Sequence, residues 1–91
     1  MWWVYLLRCK DNTLYCGITT DLDRRVFEHN FTGNAAKYTR SRRPVSLVWS
    51  RKVENRSSAL KMENKIKKLP KKSKEMMIES FVDFDNAGNV T

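Results

Sequence analysis

Two apolar runs separated by a short polar break fill the first twenty positions, and in a chain of 91 residues they decide what can be built. Trp2–Cys9 (WWVYLLRC) is aromatic and aliphatic with almost no polar interruption. That pattern predicts a strand buried on both faces, because a strand with one wet face alternates. Asp11-Asn12-Thr13 is turn chemistry, and Leu14–Thr19 (LYCGIT) follows as a second strand. The opening is therefore a hairpin, and the length suits a single domain.

Beyond the hairpin, Thr20-Asp21 marks a helix start, with Asp23 as the capping-box partner of Thr20. Over 21–30, Leu22, Val26 and Phe27 cluster on one side at helical spacing, and Arg25 and His29 share its flank one turn apart. Residues 30–44 (NFTGNAAKYTRSRRP) have no apolar period and gather Lys37, Arg40, Arg42 and Arg43 around Tyr38, which predicts a mobile basic loop. Val45–Lys52 is a third strand. Residues 55–58 cap a helix over about 59–69 that Pro70 ends, and 71–81 is a further short helix with Met76, Met77, Ile78 and Phe81 toward the core. The expected fold is α/β (α+β): a small three-stranded, mainly antiparallel sheet flanked by helices in the order ββα-β-αα. The domain spans 1–82, and 83–91 is a flexible polar tail.

Charge narrows the partners. Eighteen Lys+Arg against ten Asp+Glu give +8, and a small basic domain suits a polyanion, since each phosphate contact releases condensed counterions. No stretch approaches the roughly 18 apolar residues of a membrane span, and the apolar start lacks a basic leader and a small-residue cleavage site. A cytoplasmic protein with Cys9 and Cys16 as buried thiols is expected, and two cysteines with one histidine do not make a tetrahedral zinc site.

One residue breaks its local pattern. Ala59, Met62, Ile66 and Leu69 form the apolar stripe of the helix at 59–69, and Glu63 falls within it. A carboxylate on a core-facing stripe is costly unless it is paired or binds a cation. Lys61, Lys65 and Lys68 lie on the wet side.

The order Trp3-Val4-Tyr5, Tyr15-Cys16-Gly17, Arg25, His29, a basic loop and then Glu63 resembles the GIY-YIG nuclease superfamily. The steps 15→25→29 match, Trp3 stands in place of the first glycine, and NAAKYT (34–39) and ALKME (59–63) resemble the small stand-alone, YhbQ-like branch. The resemblance covers about residues 2–74. It implies a divalent-metal-dependent endonuclease acting on DNA, with structured or branched DNA a reasonable substrate class. Glu63 would be the ligand for Mg²⁺ or Mn²⁺, and Arg25 would hold the scissile phosphate. Tyr5 or Tyr15 would orient or deprotonate the water, with His29 the rival base or a phosphate contact. Lys37, Tyr38, Arg40, Arg42 and Arg43, with the lysines of 61–74, would track the nucleic acid, Tyr38 stacking on a base. The alternatives are a weak or inactive nucleic-acid-binding module of the same fold, and an interaction adaptor using the tyrosine-rich sheet.

A shared site also fixes the hairpin. A two-residue loop over Asn12-Thr13 sends Tyr5 and Tyr15 to opposite faces. A three-residue loop over Asp11-Asn12-Thr13 pairs 10 with 14 and 7 with 17. It collects Tyr5, Leu7, Tyr15, Gly17 and Thr19 on one face, with no Cys9–Cys16 disulfide. The odd loop is the one expected, with Tyr5, Tyr15, Arg25 and Glu63 lining one concave face.

Overall fold

The computed structural model describes the backbone of residues 1–90 and the side chains of 1–81. Strands β1 (Trp2–Arg8), β2 (Leu14–Thr19) and β3 (Ser46–Val53) form one antiparallel sheet in the order β2-β1-β3. Helices α1 (Leu22–Phe31) and the short α2 (Lys37–Arg40) lie between β2 and β3 in sequence, and α3 (Arg56–Lys67) and α4 (Lys71–Val90) follow β3. The reading of 71–81 as a short helix is corrected, since the backbone of α4 stays helical to Val90. The expectation of a flexible tail at 83–91 falls on residues whose side chains, with Thr91 as a whole, lie outside the described residues. No described helix is long and apolar enough to cross a membrane.

As the uninterrupted apolar run requires, β1 is covered on both faces. Leu6 and Leu7 point opposite ways and both are fully buried, each burial contributing about 1.5–3 kcal/mol. On one face Val4, Leu6, Cys16 and Trp49 meet Ala59 and Ile66 of α3 and Ile78 of α4. On the other, Tyr5, Leu7, Cys9 and Val45 meet Tyr15 and, from α1, Leu22 and Val26. Phe27, expected on that stripe, is 57% exposed and packs along its own helix against Phe31 (5.1 Å between rings). Leu69 likewise lies past the end of α3 and is exposed.

The hairpin loop has odd length, but it lies one residue earlier than expected. The Cys9 N–H donates to Thr13 O and the Asn12 N–H to Cys9 O (both 2.9 Å), so the loop is Lys10-Asp11-Asn12. Arg8 pairs with Leu14, Leu7 with Tyr15 and Tyr5 with Gly17, in place of 10 with 14 and 7 with 17. The reason is Asn12, which takes the left-handed backbone (φ 69°) that closes a three-residue loop. β-Branched Thr13 disfavours that conformation and instead gives both its N–H and its hydroxyl to the Asp11 carboxylate (3.1 and 2.6 Å). Because the shift preserves parity, Tyr5, Leu7, Tyr15, Gly17 and Thr19 still share a face.

Residues 30–44 are not the mobile loop that their lack of apolar period predicted. Thr39 within α2 is fully buried and Ala35 nearly so. Arginine donors satisfy the irregular backbone: Arg40 Nη2 donates to Gly33 O (2.9 Å), Arg42 Nη1 to Tyr38 O (2.9 Å), and Arg43 to His29 O (2.6 Å) and Thr32 O. Asn30 clamps the same segment to β3 by bonding both the N–H and the C=O of Val45 (2.7 and 3.0 Å).

Candidate active site

Gly17 creates the space around which the site is built. A Cβ at this position would lie 2.6 Å from Tyr5 Cζ, nearer still to the Tyr5 hydroxyl, and 3.1 Å from the Tyr15 ring. Tyr5 therefore lies flat across its directly paired neighbour, and only hydrogen at Gly17 permits it. Tyr15 stands 6.5 Å away, ring to ring.

Helix α1 then returns over this face. Its start is capped by Asp21, whose carboxylate accepts from Arg24 N–H (3.1 Å), and not by Thr20. The helix brings His29 edge-on to both tyrosines, 6.0 Å from Tyr5 and 5.4 Å from Tyr15 between rings. His29 is fully buried and both ring nitrogens are engaged, Nε2 with the Tyr5 hydroxyl (2.9 Å) and Nδ1 with Thr39 Oγ1 (2.7 Å). The Thr39 hydroxyl spends its one proton on Ala36 O (3.0 Å), so Nδ1 carries the imidazole proton and Nε2 accepts from Tyr5. Burial first, then the Arg25 charge, pushes His29 down to about 4, so the ring is neutral near pH 7. Burial also raises Tyr5 well above the ordinary tyrosine range, against the Arg25 guanidinium, which draws it down.

Arg25, one turn before His29, has a side chain 24% exposed. Its Nη1 donates to Glu28 (3.2 Å) and to Asn34 O (2.9 Å), which aims the guanidinium at the tyrosine face. Tyr15 is half-buried, and its phenol is raised by burial while the charges of Lys67 and Arg25 lower it. Tyr38 stacks alongside Tyr15 (6.0 Å, 23°), and the Arg42 guanidinium sits 3.9 Å over the Tyr38 ring while pairing with Asp11 (3.0 Å).

Glu63 stands beside this cluster on α3, near enough to Tyr15 and Cys16 to oppose their ionisation. Its side chain is 13% exposed, and among the described residues its ion-pair partner is Lys67, one turn on (3.5 Å). No group of three or more His, Cys, Asp or Glu among the described residues forms a metal cage. A single carboxylate on a basic domain fits Mg²⁺, which commonly takes one or two carboxylates and keeps its waters and substrate phosphates.

Of the residues singled out in the sequence, Tyr5, Tyr15, Arg25 and His29 converge, whereas Glu63 approaches Tyr15 from α3, the helix packed on the opposite face of the sheet. Arg42 and Arg43 spend donors on the protein's own carbonyls, Arg40 does so in part, and Lys37 is exposed. Thr39, which sets the histidine tautomer, escaped sequence reasoning. It lies ten residues from His29 within a basic segment, and no local pattern marks it.

The GIY-YIG catalytic domain matches residues 1–76, so a nuclease-type domain is the class that the fold and the tyrosine face share. Within that class the chain belongs to the small stand-alone UPF0213 family. A UPF0213 protein of Desulfotalea psychrophila is 47% identical over 79 residues, 87% of this chain and 72% of that one. One of Vibrio cholerae is 47% identical over 85 residues, 92% of this chain and 83% of that one. The solution NMR structure of a UPF0213 protein from Bacillus halodurans covers 87% of this chain and 84% of its own, at 40% identity and TM-score 0.55. That of an E. faecalis protein covers 87% and 83%, at 46% identity and TM-score 0.58.

Proposed function

We propose that this protein is a divalent-metal-dependent endonuclease acting on DNA, with structured or branched DNA as the substrate class. The observation that carries the reading is the clustering of Tyr5, Tyr15, His29 and Arg25 over Gly17, with Tyr15 beside a largely buried glutamate that pairs with Lys67.

Burial divides the labour. Tyr5 is 1% exposed and His29 fully buried, so neither meets substrate directly, whereas Tyr15 and Arg25 remain reachable. Tyr5, His29 and Thr39 form a neutral, fully bonded array that holds α1 and α2 against the sheet and so positions Arg25 and Tyr15. The half-buried Tyr15 hydroxyl accepts a hydrogen bond from the attacking water and orients it toward phosphorus. A phenol held protonated at neutral pH aligns the water and does not strip it. Arg25 offers guanidinium donors to the phosphoryl oxygens, where charge accumulates as the new P–O bond forms and the leaving P–O bond breaks. Glu63, with water and a substrate phosphate, would hold Mg²⁺ or Mn²⁺, which would supply charge stabilisation and a more acidic water, its proton passing to solvent and the leaving oxygen taking one from solvent in turn. Lys37 and the outer edges of Tyr38, Arg40, Arg42 and Arg43 line the approach and add to its positive field.

The Lys67–Glu63 pair favours one rival, a nucleic-acid-binding module in which the glutamate is merely neutralised. Cleavage of duplex, single-stranded and branched substrates with Mg²⁺ or Mn²⁺, against chelator, separates the two. The nuclease cuts at least one substrate only with metal, and Glu63→Gln abolishes cutting while the fold stays as stable. Wild-type rates in Glu63→Gln remove the metal assignment, and salt-sensitive binding without cutting leaves the rival standing.

A further inference from the structure

The lysines of 61–74 do not form one surface. Lys61 and Lys65 of α3 and Lys68 at its C-cap follow helical spacing on the side away from buried Ala59 and Ile66, so they face away from the sheet. Lys67 falls on the Glu63 side instead. With Lys74 of α4 it flanks a cavity of about 230 Å³ at the free edge of β2, walled by Leu14, Tyr15, Cys16 and Tyr38. Tyr15 is the partition: its ring meets Tyr5 and His29 on the site side and bounds this cavity as well.

Among the described residues, the cavity wall carries two cations and no carboxylate. The nearby Glu75 is already committed, accepting both Arg8 Nη atoms (2.8 and 2.6 Å) and pairing with Lys71 (3.3 Å). Lys67 does contact Glu63, at 3.5 Å, but its side chain is 51% exposed and free to swing toward an anion. The Tyr15–Tyr38 stack provides a flat apolar flank beside the ammonium groups. Two ammonium groups around a small cavity suit a phosphodiester, and the volume takes a phosphate without a whole nucleotide.

We propose that Lys67 and Lys74 form a second phosphate subsite. It holds the phosphate neighbouring the scissile one on the same strand, so that the enzyme engages a polynucleotide and not an isolated phosphodiester. The subsite rests on the nucleic-acid reading above, but binding without cleavage is enough to test it.

The test is fluorescence anisotropy of labelled oligothymidylate across a KCl series, in chelator so that nothing is cut. Lys67→Gln/Lys74→Gln is compared with wild type and with Lys61→Gln/Lys65→Gln on the far face. Losing the one phosphate that the two lysines share should weaken binding about tenfold and flatten the log–log salt slope by about 0.7 units for a single strand, while the far-face pair keeps the wild-type slope. Thymidine alone and inorganic phosphate serve as competitors. The subsite is overturned if both pairs flatten the slope equally, if neither does, if free phosphate competes as well as the oligomer, or if wild type does not bind. A protein that binds in this pattern yet never cuts keeps the subsite and loses the nuclease reading. One that cuts, with the slope unmoved in the cavity pair, keeps the nuclease and loses the subsite.

Discussion

Replacing Gly17 with alanine tests the packing on which the site depends. The new methyl would lie 2.6 Å from Tyr5 Cζ, and that ring has nowhere to go: it is 1% exposed and held by His29 at 2.9 Å. Overpacking of this kind costs about 1–3 kcal/mol. The backbone at Gly17 has no positive φ, so alanine is conformationally acceptable there and returns about 0.4–1 kcal/mol by restricting the unfolded chain. The net loss should be roughly 1–2 kcal/mol, and a domain of this size loses about 4–8 °C in Tm for each kcal/mol. Urea and thermal unfolding, followed by the fluorescence of the three tryptophans, measure it. The cause is isolated by repeating Gly17→Ala in a Tyr5→Leu background, where the obstructing ring is gone. There the substitution should be neutral or slightly stabilising, giving a coupling of 1 kcal/mol or more. An equal cost in both backgrounds, or no cost in wild type, would refute the close approach of Tyr5 to the β2 backbone.

Two further predictions concern pH, and a third the phosphate clamp. His29 has a folded pKa near 4 against an ordinary 6.5, so below pH 6.5 the unfolded chain binds a proton that the folded chain refuses. Stability should therefore fall between pH 6.5 and 4 by about 3 kcal/mol, and His29→Gln should flatten that window in pH-dependent melts. Glu75 is held down to about 2 by its bonds from Arg8, so the contribution of that pair is present above about pH 4.5 and lost as pH falls toward 2. Glu75→Gln should lower Tm at pH 7 and converge with wild type in acid. Arg25→Lys keeps the charge but not the fork, and should reduce cleavage with little change in Tm, read in the same reaction against melting curves.

Sheet and helix order were readable because β1 carries its own evidence: an apolar run too dense for a half-wet strand, next to polar turn residues. The register was readable only to parity, because whether the loop closes at Asn12 or Thr13 depends on which residue tolerates a left-handed backbone. Segment 30–44 was misread for a different reason. Its order comes from arginine-to-carbonyl bonds and a buried threonine, which leave no periodic trace, so basic residues suggested a solvated loop. Phe27 and Phe31 show the converse, as apolar side chains at helical spacing that face outward. Within the site, the tyrosines, Arg25 and His29 were legible through their fixed spacing. Which of them are buried and which accessible was not, because exposure is a property of the assembled sheet and helices.

The most direct test of the proposed chemistry is the metal-dependent cleavage rate of Tyr15→Phe on the best substrate of the panel. Phenylalanine keeps the ring, its stack with Tyr38 and its contact with His29, and removes only the hydroxyl that orients the water. Loss of about 10²-fold or more in rate, with Tm and oligonucleotide affinity unchanged, is the predicted result. A Tyr15→Phe protein that cuts at the wild-type rate would contradict the account.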